Sequence, residues 1–159
     1  MYYASPTQIN FLVPRNPAGE DVVVVREGIA SDAMALPLVP VAPSVFTMDG
    51  WPGGPAAATH NDGSLVTSQS PALPGEPITL YLVGLGARDP ALAAPDVLPA
   101  VRVEAAWAEL LSAGPSGFGP GLDLIGFKIP QGTAPGDAWV VVEKGAAASG
   151  QVRLAVGGN

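Results

Sequence analysis

The chain has 159 residues, of which 48% are hydrophobic and 13% are charged, so it has enough apolar residues for a core and too little charge for a disordered protein. Its net charge of −7 excludes binding driven by counterion release from a phosphate backbone, and no nucleic-acid partner is expected. Without cysteine there is neither a disulfide framework nor a thiolate metal site. Apolar runs such as LYLVGLGA fall far short of the ~20 residues that span a bilayer, so no membrane span is expected.

Short runs of β-branched and apolar residues follow one another along the whole chain. They are separated by the turn residues glycine and proline, which number 20 and 18. Many short strands with frequent turn signals are typical of a β-sandwich. The predicted strands, in chain order, are 8–13, 22–26, 34–39, 41–47, 56–60, 64–67, 78–84, 101–103, 124–129, 139–143 and 151–156.

One segment, VEAAWAELLSA at 103–113, consists almost wholly of helix formers. As a helix it would place Glu104, Ala108 and Ser112 on one polar face, at i, i+4 and i+8. As part of an all-β chain it would form a strand pair. Both structures remain open at this stage, and we favour the strand pair because helix propensity is a weak guide.

An internal repeat is the most informative pattern. INFLVPRNPAGEDVVVVREG matches IGFKIPQGTAPGDAWVVVEKG with Pro14 on Pro130 (130 − 14 = 116) and Asp21 on Asp137. One residue of slack near 26–28 then aligns the REG turn with EKG. The sequence therefore predicts the same supersecondary unit twice, with a long strand-rich segment before the second copy and almost none before the first.

Four segments carry a resemblance to a known family: YASPTQINFLVP, APSVFT, AAATHNDGSLVTSQSPALPGEPITLYLVGLGARDP and GFGPGLDLIGFKIPQGTAPGDAWVVV. Together they resemble the immunoglobulin-like domain found at the C-termini of large secreted proteins of Solibacter and other acidobacteria, which is related to IPT/TIG sandwiches. The resemblance implies an all-β, immunoglobulin-like (IPT/TIG-like) β-sandwich without catalytic activity or cofactor. It also implies a secreted or cell-surface bacterial protein.

The domain organisation follows from the repeat and the resemblance. Residues 1–40 are expected to form a partial Ig-like unit with the last three strands only. Residues 41–159 are expected to form a complete Ig-like β-sandwich, with an inserted hairpin at about 56–67 and with strands C and C′ within 101–111. The family's usual Gly-Gly turn is replaced by Glu104-Ala105, which lacks the residues that favour a tight turn. MYYASPTQ contains no export signal, so we expect any such signal upstream.

His60 is the only histidine and therefore the only candidate base of a Ser-His-Asp site, with Asp62 and Ser64 nearby. The alternative is that THNDGS is the tip of a hairpin, where these residues are ordinary turn formers. We favour the hairpin tip and expect no catalysis. A metal site is also not expected, because a lone histidine without thiolates would need clustered carboxylates, and the loop aspartates lack calcium-binding spacing.

Trp51, in the loop DGWPGGP, has no predicted strand to bury it. A loop tryptophan is a common stacking platform for sugars or a hot spot for a protein partner. Trp107 and Trp139 lie in predicted strands and are expected in the core. The ligand-binding candidates are therefore Trp51, His60 and Asp62.

The sequence thus predicts a non-catalytic structural or interaction module of a larger protein. Its expected partners are other domains of that protein or a cell-surface protein or polysaccharide. The alternative is a carbohydrate or cell-surface polymer binding module that uses the loops around Trp51 and His60. Ile9, Phe11 and Val13 lack cover within their own unit, so either they pack on the complete unit or they expose an apolar patch. The second outcome predicts a homodimer through residues 1–40, or aggregation through edge pairing.

Overall fold

The structure is a computed structural model that describes residues 3–14, 19–86, 97–119 and 121–158. The contacts between residues divide the chain into two compact units, Met1–Pro40 and Val41–Asn159. All paired strands are antiparallel, and the described residues contain no helix. The all-β prediction is confirmed.

Unit 1, Met1–Pro40, contains three two-stranded ribbons, in which β1 pairs with β2, β3 with β6 and β4 with β5. None of its described residues is buried. Exposed side chains include Phe11, Val24, Val25 and Ile29, so the apolar sequence of this unit does not produce a core of its own. Its strands are β1 (Tyr3–Ala4), β2 (Ile9–Asn10), β3 (Asp21–Val22), β4 (Val25–Arg26), β5 (Ile29–Ala30) and β6 (Met34–Ala35).

Unit 2, Val41–Asn159, contains two five-stranded sheets. The first sheet has the order β12-β13-β9-β7, with β8 also paired to β9, and the second has the order β11-β10-β14-β15, with β16 also paired to β14. Its strands are β7 (Ser44–Val45), β8 (Ala58–His60), β9 (Pro77–Val83), β10 (Ala100–Val103), β11 (Ala106–Trp107), β12 (Glu109–Pro115), β13 (Leu122–Lys128), β14 (Gly136–Lys144), β15 (Ala147–Ala148) and β16 (Val152–Val156).

One hydrophobic core joins the two sheets of unit 2. Leu80 and Phe127 of the first sheet and Val140 and Leu154 of the second belong to the same buried cluster, each 0–1% exposed. Burying a side chain of this size contributes about 1.5–3 kcal/mol. Along β9, buried residues alternate with half-exposed ones, which is the period of a strand with one face on a core. This arrangement is consistent with a β-sandwich.

The helix-forming segment is a pair of strands, as predicted. Arg102 pairs with Trp107 across the β10–β11 hairpin, but β12 then pairs with β13 in the other sheet. The expectation that 101–111 supplies both C and C′ is therefore wrong beyond Trp107. The chain changes sheets next to Ala108, whose N–H donates to the carbonyl of Val101, and Leu110 then packs on the core. Burial of Leu110 outweighs local helix propensity.

Glu104 replaces the expected turn glycine and adopts a left-handed backbone with φ of +53°. Its N–H donates to the carbonyl of Trp139 at 2.7 Å, and its Oε1 accepts from the N–H of Trp139, also at 2.7 Å. Arg102 Nη1 donates to the carbonyl of Glu104 at 3.0 Å. The carboxylate thus compensates for an unfavourable backbone conformation by bonding to the neighbouring strand.

The internal repeat is structural, with a register that differs from the predicted one. In unit 1 the N–H of Val24 bonds to Ser31 Oγ and the N–H of Ser31 to the carbonyl of Val24. Val142 and Ser149 make the same two bonds in unit 2, at a constant spacing (142 − 24 = 149 − 31 = 118). The alignment gave spacings of 116 and 117. The predicted alignment placed the glycines of the two turns on each other. In the structure Gly28 is the second residue of its turn and Gly145 is the first residue of its turn, so Arg26 corresponds to Lys144.

The Glu104 turn leads to a testable prediction. Glu104→Ala loses the carboxylate bond and keeps the left-handed backbone, so we expect it to lower the free energy of unfolding by about 1–2 kcal/mol. Glu104→Gly loses the same bond but relieves the backbone, so it should remain within about 0.5 kcal/mol of wild type. Urea denaturation followed by tryptophan fluorescence reports unit 2, which holds all three tryptophans. Equal stability of the alanine and glycine variants would contradict this account.

Candidate functional site

His60 lies at the end of β8, where the chain reverses through the Asp62-Gly63 turn. The N–H of His60 donates to the carbonyl of Ser64 at 2.9 Å, and Gly63 has a φ of +85°. Asp62 Oδ1 accepts from both the N–H and the hydroxyl of Ser64, at 2.9 and 2.6 Å. These contacts are those of a hairpin tip, and they use Asp62 and Ser64 within the turn.

The imidazole of His60 is held by two other residues. Its Nδ1 lies 2.5 Å from Oε1 of Glu76, and its Nε2 lies 3.1 Å from the carbonyl of Ser70 and 3.3 Å from Ser70 Oγ. Glu76 Oε2 accepts from the N–H of Leu73 at 2.8 Å. The side chains of His60 and Glu76 are 13% and 24% exposed. The cluster therefore ties the hairpin to the turn before β9.

Two pKa values are shifted in this cluster. The hydrogen bond to Glu76 raises the pKa of His60 above its usual 6.5, against an opposing effect of burial. The hydroxyl and N–H of Ser64 lower the pKa of Asp62. A protonated His60 can donate to Glu76 and to the carbonyl of Ser70 at the same time, so the geometry suits an imidazolium–carboxylate pair.

Ser70, His60 and Glu76 also stand in the order of a catalytic triad. These partners lie 10 and 16 residues from the histidine, and they were not predicted, because Asp62 and Ser64 are the closer candidates in the sequence. An oxyanion hole, however, needs free backbone donors near the nucleophile. The N–H of Ser70 already donates to the carbonyl of Thr67, and the next residue, Pro71, has no N–H. Neither of these two groups is therefore free to bind an oxyanion, and the contacts of the cluster are those of a structural ion pair.

Trp51 projects from the loop that connects β7 to β8. Its side chain is 73% exposed, while the backbone around it is well bonded. Asp49 Oδ1 accepts from the N–H of Trp51 at 3.0 Å, and the carbonyl of Trp51 accepts from Gly54 at 3.0 Å. A Cβ at Gly54 would collide with the Asp49 carboxylate, so a larger residue here would displace the group that bonds to the N–H of Trp51. The loop is compact and presents the indole outward.

Arg153, on β16, anchors this loop to the second sheet. Its backbone N–H donates to the carbonyl of Gly54 at 3.0 Å, and its Nε donates to the carbonyl of Gly53 at 3.1 Å. Its own carbonyl accepts from Ala56 at 2.7 Å, and Asp137 Oδ2 accepts from Nη1 at 3.3 Å. No sequence pattern indicates this role, because Arg153 lies about a hundred residues from the loop, a separation that only the fold closes.

A shallow depression of about 600 Å³ lies beside the indole. It is lined by Phe46, 45% exposed, and by the polar side chains of Thr47 and Gln151. His60 and Asp62 line a different depression of about 390 Å³. The structure thus brings His60 and Asp62 together and places Trp51 in a separate site with Phe46, a neighbour that the sequence analysis did not identify.

Trp107 and Trp139 are not in the core, and this prediction is wrong. They are 59% and 40% exposed. On β14 the side chains of Ala138 and Val140 point into the core at 3% and 0% exposure, so alternation turns Trp139 outward. Trp107 pairs with Arg102, whose side chain also lies partly exposed.

The loop carboxylates do not form a metal site in the part of the chain that the structure describes, where no group of three or more potential ligands occurs. Asp49 and Asp123 instead accept hydrogen bonds from the backbone of Trp51 and Leu85. Asp89 and Asp96 lie outside the described residues. Within those residues there is also no helix long and apolar enough to cross a membrane.

No protein-family model, curated protein or solved structure matches this chain. The Ig-like resemblance therefore stays a prediction, and the function rests on the geometry of unit 2.

The His60–Glu76 pair predicts a pH-dependent stability. Because the pKa of His60 is raised in the folded chain, the pair stabilises fully below the unfolded value of about 6.5 and loses this effect as pH rises through the folded value. We expect the destabilisation caused by His60→Gln to be about 1 kcal/mol larger at pH 6.0 than at pH 8.5. Urea titrations at both pH values measure it. Lys128→Gln, which breaks an exposed ion pair with Glu109, is the control. It should change the free energy of unfolding by the same amount at both pH values.

Because the N–H of Ser70 is already bonded and Pro71 has none, we predict that the triad-like cluster does not hydrolyse esters. Wild type, Ser70→Ala and His60→Ala should release p-nitrophenol from p-nitrophenyl acetate and butyrate at equal rates, because neither Ser70 nor Pro71 can donate an N–H to the tetrahedral oxyanion. Initial rates at pH 7 and 8.5 provide the measurement. A wild-type rate at least about ten times that of both variants would show that the cluster is catalytic.

Proposed function

We propose that this chain is a non-catalytic interaction module with an immunoglobulin-like β-sandwich, part of a larger secreted or cell-surface bacterial protein. The exported origin rests on the family resemblance of the sequence. The Ig-like fold and the interaction role each have support from unit 2.

The strand order supports the Ig-like fold. The first sheet has the order β7-β9-β13-β12, and the second contains β10-β14-β16. In chain order these correspond to strands A, B, E and D of one sheet and C, F and G of the other, which is the constant-type immunoglobulin arrangement. In this assignment the predicted C′ strand is limited to β11, which pairs with β10, and the residues after Ala108 form strand D, because β12 pairs with β13. The short β8 hairpin is then an addition beside strand B.

The single observation that carries the interaction role is the exposed indole of Trp51 on an anchored loop. Burying a tryptophan that is 73% exposed removes a large apolar area from water when a partner covers it. When a mobile loop binds a partner, the entropy lost on ordering the loop lowers the affinity. Here Asp49 and Arg153 already hold the backbone, so this cost is small. Tryptophan is also among the residues most enriched at binding hot spots.

The surroundings of Trp51 favour a polymer of neutral sugars as the alternative to a protein partner. Phe46 supplies a second aromatic surface, and Thr47 and Gln151 supply hydroxyl and amide groups that can bond to sugar hydroxyls. The chain carries a net charge of −7, which disfavours an anionic polymer. The depression is open and shallow, as a site for a long polymer must be.

The proposed site predicts that Trp51 is the residue whose loss removes binding. Titration with neutral soluble polysaccharides, followed by tryptophan fluorescence and calorimetry, should give a saturable signal in wild type. Trp51→Ala should weaken binding at least about ten-fold, because stacking on an aromatic ring and its area burial are lost together. Arg153→Ala should weaken it less, since the backbone bonds of this residue to the loop remain.

Trp107→Ala is the matched control, because it removes an indole that is also exposed but lies on β11, outside the depression. It should bind like wild type. No saturable signal with any polysaccharide would reject the sugar alternative. A protein partner is then tested by pull-down with Trp51→Ala and Trp107→Ala as paired baits, and equal recovery on both would reject the Trp51 site.

A further inference from the structure

The β3–β4 segment of unit 1 has a free edge. The backbone N–H and C=O groups of Val22 and Val24 face β6 and Ser31, on the inner side of the hairpin. Because bonding alternates along an antiparallel strand, Asp21, Val23 and Val25 turn their N–H and C=O groups to the opposite edge. Among the described residues no strand or backbone group pairs with that edge. Such a row of unpaired groups is a template for another strand.

The repeat shows what this edge accepts. In unit 2 the equivalent residues are Trp139, Val141 and Glu143, and they pair with the Glu104 turn and with β10. The equivalent inner face, Val140 and Val142, is 0% exposed because the first sheet covers it. In unit 1 the matching Val22 is half-buried and Val24 is 43% exposed, and Met34, which pairs with Val22, is 65% exposed. The hairpin of unit 1 therefore has the edge and the apolar face of a paired hairpin, without the partner strand.

The sequence of this edge is complementary to itself. Two copies that pair antiparallel with bonding groups facing each other place Val23 opposite Val23, and Asp21 opposite Val25. Val22 then lies opposite Val24 on the inner face. At both ends of this inner face, Glu20 of one copy lies opposite Arg26 of the other. The side chain of Arg26 is 87% exposed, and its one ion pair among the described residues is a 3.7 Å contact with Glu27, so its charge is accessible.

We propose that unit 1 mediates homodimerisation, through antiparallel pairing of the 20–26 edge with the same edge of a second copy. The interface is isologous, so each favourable pair occurs twice, and the two Glu20–Arg26 pairs fix the register. Pairing joins two ribbons, each too small to be stable alone, into a four-stranded sheet with a continuous apolar face. An unrelated donor strand would not require this symmetry of charge, which is why a second copy is the occupant that the sequence favours.

The test uses charge reversal at the two ends of the paired segment, in the full chain. Wild type should show a concentration-dependent monomer–dimer equilibrium in sedimentation experiments at 50–150 mM salt. Glu20→Lys places lysine opposite arginine twice, and Arg26→Glu places glutamate opposite glutamate twice. Each variant alone should raise the dimer dissociation constant at least about ten-fold. An equimolar mixture of the two variants restores both opposite-charge pairs, so it should dimerise with an affinity close to wild type.

Two further measurements keep the result interpretable. Asp32→Lys makes the same charge change at an exposed site of unit 1 outside the edge, and should dimerise like wild type. Hydrogen exchange should show the N–H of Val23 protected only at dimer-forming concentrations, whereas that of Val24 is already bonded in the monomer. A wild type that stays monomeric, or a mixture that fails to recover, would overturn the proposal. Neither outcome touches the Trp51 site, which is measured by ligand titration.

Discussion

An antiparallel hairpin with an apolar face is stable only when another element covers that face. The two repeated hairpins of the chain differ in whether this requirement is met. The hairpin of β14 and β16 meets it with the first sheet of unit 2, and Val142 is fully buried. The hairpin of unit 1 repeats the same two bonds, with Ser31 bonded to Val24 as Ser149 is to Val142, yet Val24 remains 43% exposed. The same local structure thus produces a core in one place and an open surface in the other.

Local signals in the sequence were sufficient to predict the strands, but not to predict which face of each strand is buried. The all-β class, the strand pair after Ala100 and the repeated unit could be read from β-branched runs and turn residues. The run that follows Trp139 is valine at three successive positions, so it has no alternation and gives no sign of which face is buried. That is why Trp139 was wrongly placed in the core. Glu104 escaped prediction because its bond to the next strand exists only after folding.

The candidate sites show the same limit. Trp51 was predictable, since a tryptophan among glycines and prolines has no strand to bury it. Its anchor, Arg153, was not, because it joins the loop through sheet pairing at long range. Glu76 reaches His60 because β8 pairs with β9 and sets His60 opposite Ile78, which makes Glu76 a diagonal neighbour two residues away. Both partners depend on register, which a single sequence does not contain.

The surface around Trp51 and the strand edge at Val23 expose different chemical groups, and this difference argues for different partners. Around Trp51 several hydrogen bonds hold the backbone, and what remains exposed is a pair of aromatic side chains, Trp51 and Phe46, with polar neighbours. Such a surface binds through side-chain contacts and tolerates many partner shapes. At Val23 the unmet groups are backbone donors and acceptors, and only another extended strand in register can satisfy them. A chain with both surfaces can assemble through one unit and leave the other free to bind its ligand.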